Sequence, residues 1–252
     1  MSASSSHRSA VCLAWIGCGF LATALIAPSA TAEGGISVAW NECQPDGGAA
    51  VRYFACNDNG GAETIVASYL TEVPIPDFQA LSARIELEVS RAELPDWWQL
   101  FNPGVCREHA LLASAGTSVN PESNCSNPWS ESVTGGMSEY VVPASLDPAT
   151  ASIVVRYAQP TTTALESGTE YRGFQLTLTH ERTMGPGACS GCSDATCLWL
   201  TAVDLKGADG TVVHLTTTLV NATLNWQHQT PCMNYPDAAL PRTWGQVKQL
   251  YR

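Results

Sequence analysis

The chain has 252 residues, with 12 basic and 23 acidic side chains and a formal net charge of −11. An acidic surplus of this size repels phosphate backbones and anionic lipid surfaces, so we expect no nucleic-acid partner. No run of residues after position 32 is long and apolar enough to span a bilayer, which argues against a membrane span in the processed protein.

The first residues have the pattern of a secretory signal peptide. A polar start with Arg8 precedes an apolar run from Val11 to Ile26, and Ala30 and Ala32 form an A-x-A cleavage signal. An uncleaved membrane anchor is the alternative, but the run is close to the minimum length for a span. We therefore predict a signal peptide over residues 1–32, and a protein that is secreted, periplasmic or at the cell surface.

Eight cysteines follow the predicted signal peptide, and an even number in an exported chain is typical of a disulfide framework. They are Cys43, Cys56, Cys106, Cys125, Cys189, Cys192, Cys197 and Cys232. Because short loops close at a lower entropy cost, we expect Cys43 to pair with Cys56 and Cys106 with Cys125. The remaining four are expected to pair among themselves.

The stretch "GACSGCSDATC" allows other interpretations of Cys189, Cys192 and Cys197. With Cys232 they could form a Cys₄ zinc site, and C-x-x-C also occurs in redox centres of βαβ proteins. No helical pattern follows Cys192, however, and Cys197 leads directly into the strand-like "LWLTAVDL". Since thiols pair in an oxidising compartment, we predict structural disulfides and no metal.

Strict alternation of apolar and polar residues in "ALSARIELEVS" predicts a half-buried strand over 80–90. Further strand candidates are 36–40, 63–71, 138–142, 151–158, 169–181, 197–205 and 211–226. Short strands separated by Gly, Pro and Asn turns favour an antiparallel β-sandwich of jelly-roll or Ig-like type. We predict one such domain over residues 33–241, stapled by disulfides. The segment 94–114, with Pro95 and Pro103, is expected to leave the sheets.

The last residues, "RTWGQVKQLYR", predict a short basic helix over 242–252. Thr243 and Gln246 have the spacing of a capping box at the start of this helix, and one face of the helix is apolar. That face consists of Trp244, Val247, Leu250 and Tyr251. We expect this helix to close one end of the sandwich, and a docking or sorting tag is the alternative.

Motifs of catalysis are missing from the sequence. It contains no G-x-S-x-G, no H-E-x-x-H and no phosphate-binding glycine loop. Glu86 and Glu88 lie on one strand face, but such acids beside Arg84 are typical of a solvated surface. The histidines that follow the signal peptide are scattered, and we expect them to be ordinary strand or loop residues. They are His109, His180, His214 and His228.

Two turn segments carry the oxygen ligands that Ca²⁺ prefers. The segment "NDNGGAE" supplies Asn57, Asp58, Asn59 and Glu63, and "DLKGADG" supplies Asp204 and Asp209. The same residue types build hairpin turns. We therefore expect no cofactor, with Ca²⁺ as the alternative.

Three tryptophans are the candidate ligand-binding residues. Trp97 and Trp98 are neighbours, so on an extended segment only one of them can face the core. Trp129 lies in the polar stretch "NPWSES". An exposed tryptophan can stack on a sugar ring or anchor a protein partner. Packing at the ends of the sandwich is the alternative.

The stretches "LPDWWQLFNPGVCR", "GACSGCSDATC" and "RTWGQVKQLYR" resemble those of a group of secreted bacterial proteins with a similar length and cysteine layout. That resemblance implies no activity. The long alternating strands also look like those of cohesin-type or carbohydrate-binding β-sandwich modules. We therefore expect a non-catalytic binding or surface-structural module whose partner is carbohydrate or a surface protein. An extracellular glycan hydrolase that uses carboxylates is the alternative.

Overall fold

The computed structural model describes residues 34–116 and 124–228. These residues form eleven β-strands and two single-turn 3₁₀ segments, Gln44–Asp46 and Asp96–Trp98. In chain order the strands are β1 (Gly35–Trp40), β2 (Val51–Arg52), β3 (Ala62–Leu70), β4 (Ile75–Val89), β5 (Leu111–Ser114), β6 (Thr134–Val141), β7 (Thr150–Leu165), β8 (Glu170–Thr179), β9 (Thr196–Gly207), β10 (Val212–Leu215) and β11 (Thr223–Trp226). The predicted all-β class is confirmed.

The strands form two sheets. The four-stranded sheet has the order β1-β3-β8-β5, and the seven-stranded sheet has the order β2-β11-β9-β4-β7-β6, with β10 also paired to β9. Neighbouring strands are antiparallel, except that β2 and β11 are parallel. One hydrophobic cluster takes side chains from both sheets, among them Ile65 and Leu176 from the first and Ile85 and Val155 from the second. The two sheets therefore form a sandwich around a shared core.

The strand predicted from alternation is the centre of the seven-stranded sheet. Its predicted inward residues, Leu81, Ala83, Ile85, Leu87 and Val89, are each no more than 3% exposed. The structure extends β4 towards the amino terminus as far as Ile75, and β7 and β9 pair along most of its two edges. Its inward side chains pack against the other sheet while its outward ones face solvent, which explains why the alternation is so regular.

The candidate strand 211–226 is two strands rather than one. Between β10 and β11 the chain crosses to the free edge of β1, where the Ile36 amide donates to the Thr217 carbonyl oxygen at 2.9 Å. The Leu219 amide returns a hydrogen bond to the Ile36 carbonyl oxygen, also at 2.9 Å. The crossing residues thus satisfy the exposed edge of β1, which local sequence alternation cannot indicate.

All described residues belong to one compact unit. Within the described ranges, no helix is long and apolar enough to cross a membrane. The predicted signal peptide over 1–32, the predicted helix over 242–252 and Cys232 lie outside the described residues. The segment 94–114 leaves the sheets as predicted, up to the point where β5 begins.

Three disulfides link distant parts of the chain: Cys43–Cys125, Cys56–Cys192 and Cys106–Cys189. The predicted local pairs, Cys43 with Cys56 and Cys106 with Cys125, are wrong, and so is the expectation that Cys189 and Cys192 pair within the last four cysteines. Cys189 and Cys192 belong to separate disulfides, which excludes the Cys₄ zinc alternative. Cys197 is also disulfide-bonded.

Loop-closure entropy misled the pairing prediction because it varies slowly with loop length, by only about 0.6 kcal/mol per doubling. Tertiary packing decides instead. Cys43 and Cys125 are buried together against Val66 of β3, whereas Cys56 packs against the main core.

We expect peptide mapping without reduction to recover Cys43 linked to Cys125, Cys56 linked to Cys192 and Cys106 linked to Cys189. Replacing Cys43 and Cys125 together by Ser should lower the free energy of unfolding by up to about 4–5 kcal/mol, because the bond closes a loop of 82 residues. A peptide linking Cys43 to Cys56 would contradict this framework.

Candidate functional site

Trp97 and Trp98 are both core residues, with exposed fractions of 0% and 1%. The expectation that only one of them faces the core is wrong because the segment is a 3₁₀ turn, Asp96–Trp98, and not an extended strand. In a 3₁₀ turn consecutive side chains are about 120° apart, not on opposite faces as in a strand, so both rings can pack into the core. Neither indole is therefore available on the surface for stacking on a sugar.

The two indoles pack around Trp226 of β11. Trp97 stacks on Trp226 with 5.2 Å between ring centroids, and Trp98 meets it edge-on at 5.8 Å. Trp40 of β1 completes the group at 5.8 Å from Trp226. We call these four residues the tryptophan cluster. The indole N–H of Trp226 donates to the Cys192 carbonyl oxygen at 2.7 Å, which connects the cluster to the Cys56–Cys192 disulfide.

Arg107 closes the tryptophan cluster from one side. Its guanidinium lies 3.7 Å from the Trp97 ring centroid and donates to the backbone carbonyl oxygens of Trp97, Thr179 and Glu181. Burial lowers the pKa of Arg107 to about 9, while the nearby Glu181 carboxylate opposes that effect, so the side chain is still charged at pH 7. This arrangement is a buried structural clamp, built from a cation–π contact and three accepting carbonyls.

Trp129 is also buried, with 6% of its surface exposed. Its ring packs 5.0 Å from Phe78 and 6.0 Å from Tyr157, and its indole N–H donates to the Gly173 carbonyl oxygen at 2.7 Å. The polar sequence around Trp129 indicated exposure, but the ring inserts between the sheets while its neighbours stay outside. All three candidate tryptophans are therefore packed inside the protein, which is the alternative to a ligand-binding role.

The first calcium candidate does not converge on a cation site. The Asn59 carboxamide oxygen accepts from the amides of Thr183 and Met184 at 2.8 and 2.9 Å. Glu63 is 3% exposed, and its carboxylate binds Arg52 at 2.5 Å and faces His180 Nε2 at 3.3 Å. These oxygens already have protein partners, and their role is to fix the loop before β3.

The second calcium candidate is a hairpin turn. The Asp209 carboxylate accepts from the Thr211 amide and hydroxyl, both at 2.8 Å, which lowers the pKa of Asp209. Asp204 pairs with His214, whose Nδ1 lies 2.5 Å from Asp204 Oδ1. Among the described residues, the group with metal-ligand spacing is Cys43, Asp46 and Cys125, and its two sulfurs are joined in a disulfide.

Two partly buried carboxylates have raised pKa values. Desolvation raises the pKa of Glu88, with the Asp147 charge as a smaller cause. Desolvation likewise raises the pKa of Glu170, again with a nearby acid, Asp46, and against a hydrogen bond from Ser68. Neither Glu88 with Asp147 nor Glu170 with Asp46 lines either of the two cavities described below.

A small pocket of about 310 Å³ lies beside the Cys106–Cys189 disulfide. Glu108, His109, Glu181 and Arg182 surround its mouth. Arg182 donates to the Cys106 carbonyl oxygen at 2.9 Å, and His109 is strongly exposed. The pocket has a charged rim but no buried apolar floor, so it offers little surface for a ligand to desolvate.

A larger groove of about 530 Å³ crosses the outer face of the seven-stranded sheet. Its floor consists of small side chains on the central strands, Ala80 and Ser82 of β4 and Ala158 of β7. Ala80 and Ala158 lie directly opposite each other in the sheet. Lys206 of β9 and Val212 of β10 form one side, and Val212 is 56% exposed.

The charged side chains of the groove have an ordered arrangement. Arg156 donates to Glu139 Oε1 from both terminal nitrogens at 3.0 Å, and Asp204 pairs with His214 as described above. Lys206 lies opposite Ala80 on one side and opposite Val212 on the other. The groove is therefore an apolar floor with a charged rim, the composition that protein-binding surfaces share.

Sequence reasoning did not find this groove. The alternation in β4 placed Ser82 on the outer face, and the small outward residues there could have been read as a signal. The contribution of Lys206 to the groove could not have been predicted from the sequence, because it depends on β9 lying next to β4.

We expect Trp97→Ala and Trp98→Ala each to lower the free energy of unfolding by about 3–5 kcal/mol, because both remove a fully buried ring. Denaturant unfolding followed by far-UV circular dichroism measures this loss. Leu146→Ala is the control, because Leu146 is fully exposed at 104% and its truncation should change the unfolding energy by less than about 0.5 kcal/mol. Wild-type stability in either tryptophan variant would contradict the cluster.

Comparison with known proteins adds little to this geometry. No protein-family model matches the chain, and no curated protein sequence matches it. Among solved structures, it is similar to a cohesin module from a family 33 glycoside hydrolase of Clostridium perfringens, at 13% identity and a TM-score of 0.35. That alignment covers 77% of this chain and 94% of the cohesin module. At this TM-score we carry neither strand topology nor function over from the cohesin module.

Proposed function

We propose that the protein is a non-catalytic binding module that acts outside the cytoplasm and binds a protein partner in the groove on the outer face of the seven-stranded sheet. The observation that carries this proposal is the groove itself. About 530 Å³ of space lies over the small residues Ala80, Ser82 and Ala158, within the size range of ligand sites.

The lining of the groove supports a protein partner rather than a sugar. Sugar sites use an exposed aromatic ring as a stacking platform. The aromatic residue of this groove is Tyr157, which is 5% exposed and belongs to the core. An apolar centre between charged residues suits a partner that inserts an apolar side chain and meets the rim with polar groups.

The chemistry of the groove supports a binding role over hydrolysis. The carboxylates with raised pKa values, Glu88 and Glu170, lie away from the groove, and its own carboxylate, Asp204, is held by His214. A glycan hydrolase requires two carboxylates facing one substrate position. The groove supplies shape and charge without such a pair.

The disulfides support a location outside the cytoplasm. Disulfides persist in oxidising compartments and are rare in reducing ones. The proposed export agrees with the signal-peptide pattern of residues 1–32 and with the three disulfides.

Filling the groove tests the proposal. Random peptides displayed on phage are selected on the full-length protein and then measured against two tryptophan variants. We expect selected peptides to bind wild type and Leu112→Trp but to lose binding to Ala158→Trp, because the new ring occupies the floor. Leu112 is 55% exposed on β5 of the other sheet and is a matched surface control. Peptides that bind Ala158→Trp as well as wild type, or a glycan array that binds where peptides do not, would contradict the proposal.

A further inference from the structure

Among the described residues, Lys206 is the charged residue of the groove that has no ion-pair partner, and we call it the uncompensated charge. Its side chain is exposed at the edge of the apolar floor, and within the described ranges it has no ion pair and no side-chain hydrogen bond. Its direct cross-strand neighbours are Ala80 and Val212, neither of which carries a charge or a hydrogen-bonding side chain. It is one of only two lysines in the whole sequence.

The other charges around the groove are already satisfied. Arg156 holds Glu139 and also donates to the Ser138 hydroxyl at 2.9 Å. Asp204 lies one row away from Lys206 on the same strand, and its Oδ1 is taken by His214. A ligand anion that approached Arg156 would have to compete with Glu139. At Lys206 it would displace only water, which makes that ammonium the favoured anchor.

The neighbours of Lys206 also determine what must accompany the anion. Ala80 and Ala158 leave an apolar depression directly beside the ammonium, and exposed Val212 extends it. Residues directly opposite each other in a sheet have their Cβ atoms about 5 Å apart. An apolar side chain placed on Ala80 and a carboxylate placed at Lys206 would therefore come from adjacent parts of one ligand segment.

We propose that the groove recognises a peptide segment of a partner protein in which an Asp or Glu is adjacent to an apolar residue, with the carboxylate held by Lys206 and the apolar side chain resting on Ala80 and Ala158. This inference rests on the proposed function and specifies the chemistry of the partner. The acidic surplus of the rest of the chain makes this recognition directional, because an acidic ligand segment is repelled elsewhere on the surface and attracted at Lys206.

The test uses the peptides selected on the full-length protein. Their sequences should be enriched in an acidic residue adjacent to an apolar one. One such peptide and its amide counterpart, with Glu→Gln or Asp→Asn, are then titrated against wild type, Lys206→Met, Lys206→Glu and Lys206→Arg by calorimetry.

We expect Lys206→Met to weaken binding of the acidic peptide about two- to fivefold, the range of a solvent-exposed ion pair. Lys206→Glu should weaken it further, and Lys206→Arg should bind like wild type. The amide peptide should bind wild type about two- to fivefold more weakly than the acidic peptide does. It should bind Lys206→Met as tightly as it binds wild type, because its carboxylate is already missing. This dependence of one change on the other is the coupling that a double-mutant cycle measures. Arg91→Met, which removes an exposed arginine paired with Asp194, is the control and should bind like wild type.

The outcomes separate the two proposals. Peptides whose binding survives Ala158→Trp overturn the groove as the binding site, and this inference fails with it. Peptides that need the open groove but show no acidic preference, or no coupling between their carboxylate and Lys206, overturn the inference alone and leave the binding function standing.

Discussion

The packing of indole rings around Trp226 is the contact on which the arrangement of the two sheets depends. Trp226 belongs to the seven-stranded sheet and Trp40 to the four-stranded one, and their rings meet at 5.8 Å. Trp97 and Trp98 fill the remaining space from a 3₁₀ turn that belongs to neither sheet. Because aromatic rings bury large areas, this cluster holds two sheet edges and a long connection in one packed unit.

Irregular segments contribute several of the hydrogen bonds around the cluster. Arg107 satisfies three carbonyl oxygens at once, and the Trp226 indole N–H is accepted by Cys192, whose sulfur is bonded to Cys56. Loops with few regular hydrogen bonds would otherwise open easily. The disulfides and the buried Arg107 guanidinium hold these irregular segments in place, where another fold would use helices.

The outer face of the seven-stranded sheet is open to solvent. The outer face of β4 and β7 carries small residues at Ala80, Ser82 and Ala158, so the centre of the seven-stranded sheet is lower than its rim. Charged side chains from β7 and β9 border this depression, and most of them already have partners within the protein. A rigid floor with one uncompensated lysine at its edge favours selective binding, because no internal ion pair has to break.

The sequence by itself determined most of the long strands, because a half-buried strand imposes a two-residue period that can be read directly, as in 80–90, whereas the short strands β2 and β5 carry no such pattern. It also indicated the oxidised state of the cysteines, through their even number behind an apolar leader pattern. Only the tertiary structure decided which cysteines pair, that Trp97, Trp98 and Trp129 are all buried, and that Lys206 borders a groove. Each of these depends on which distant strands become neighbours, and that choice is made by the packing of the whole core rather than by any local pattern.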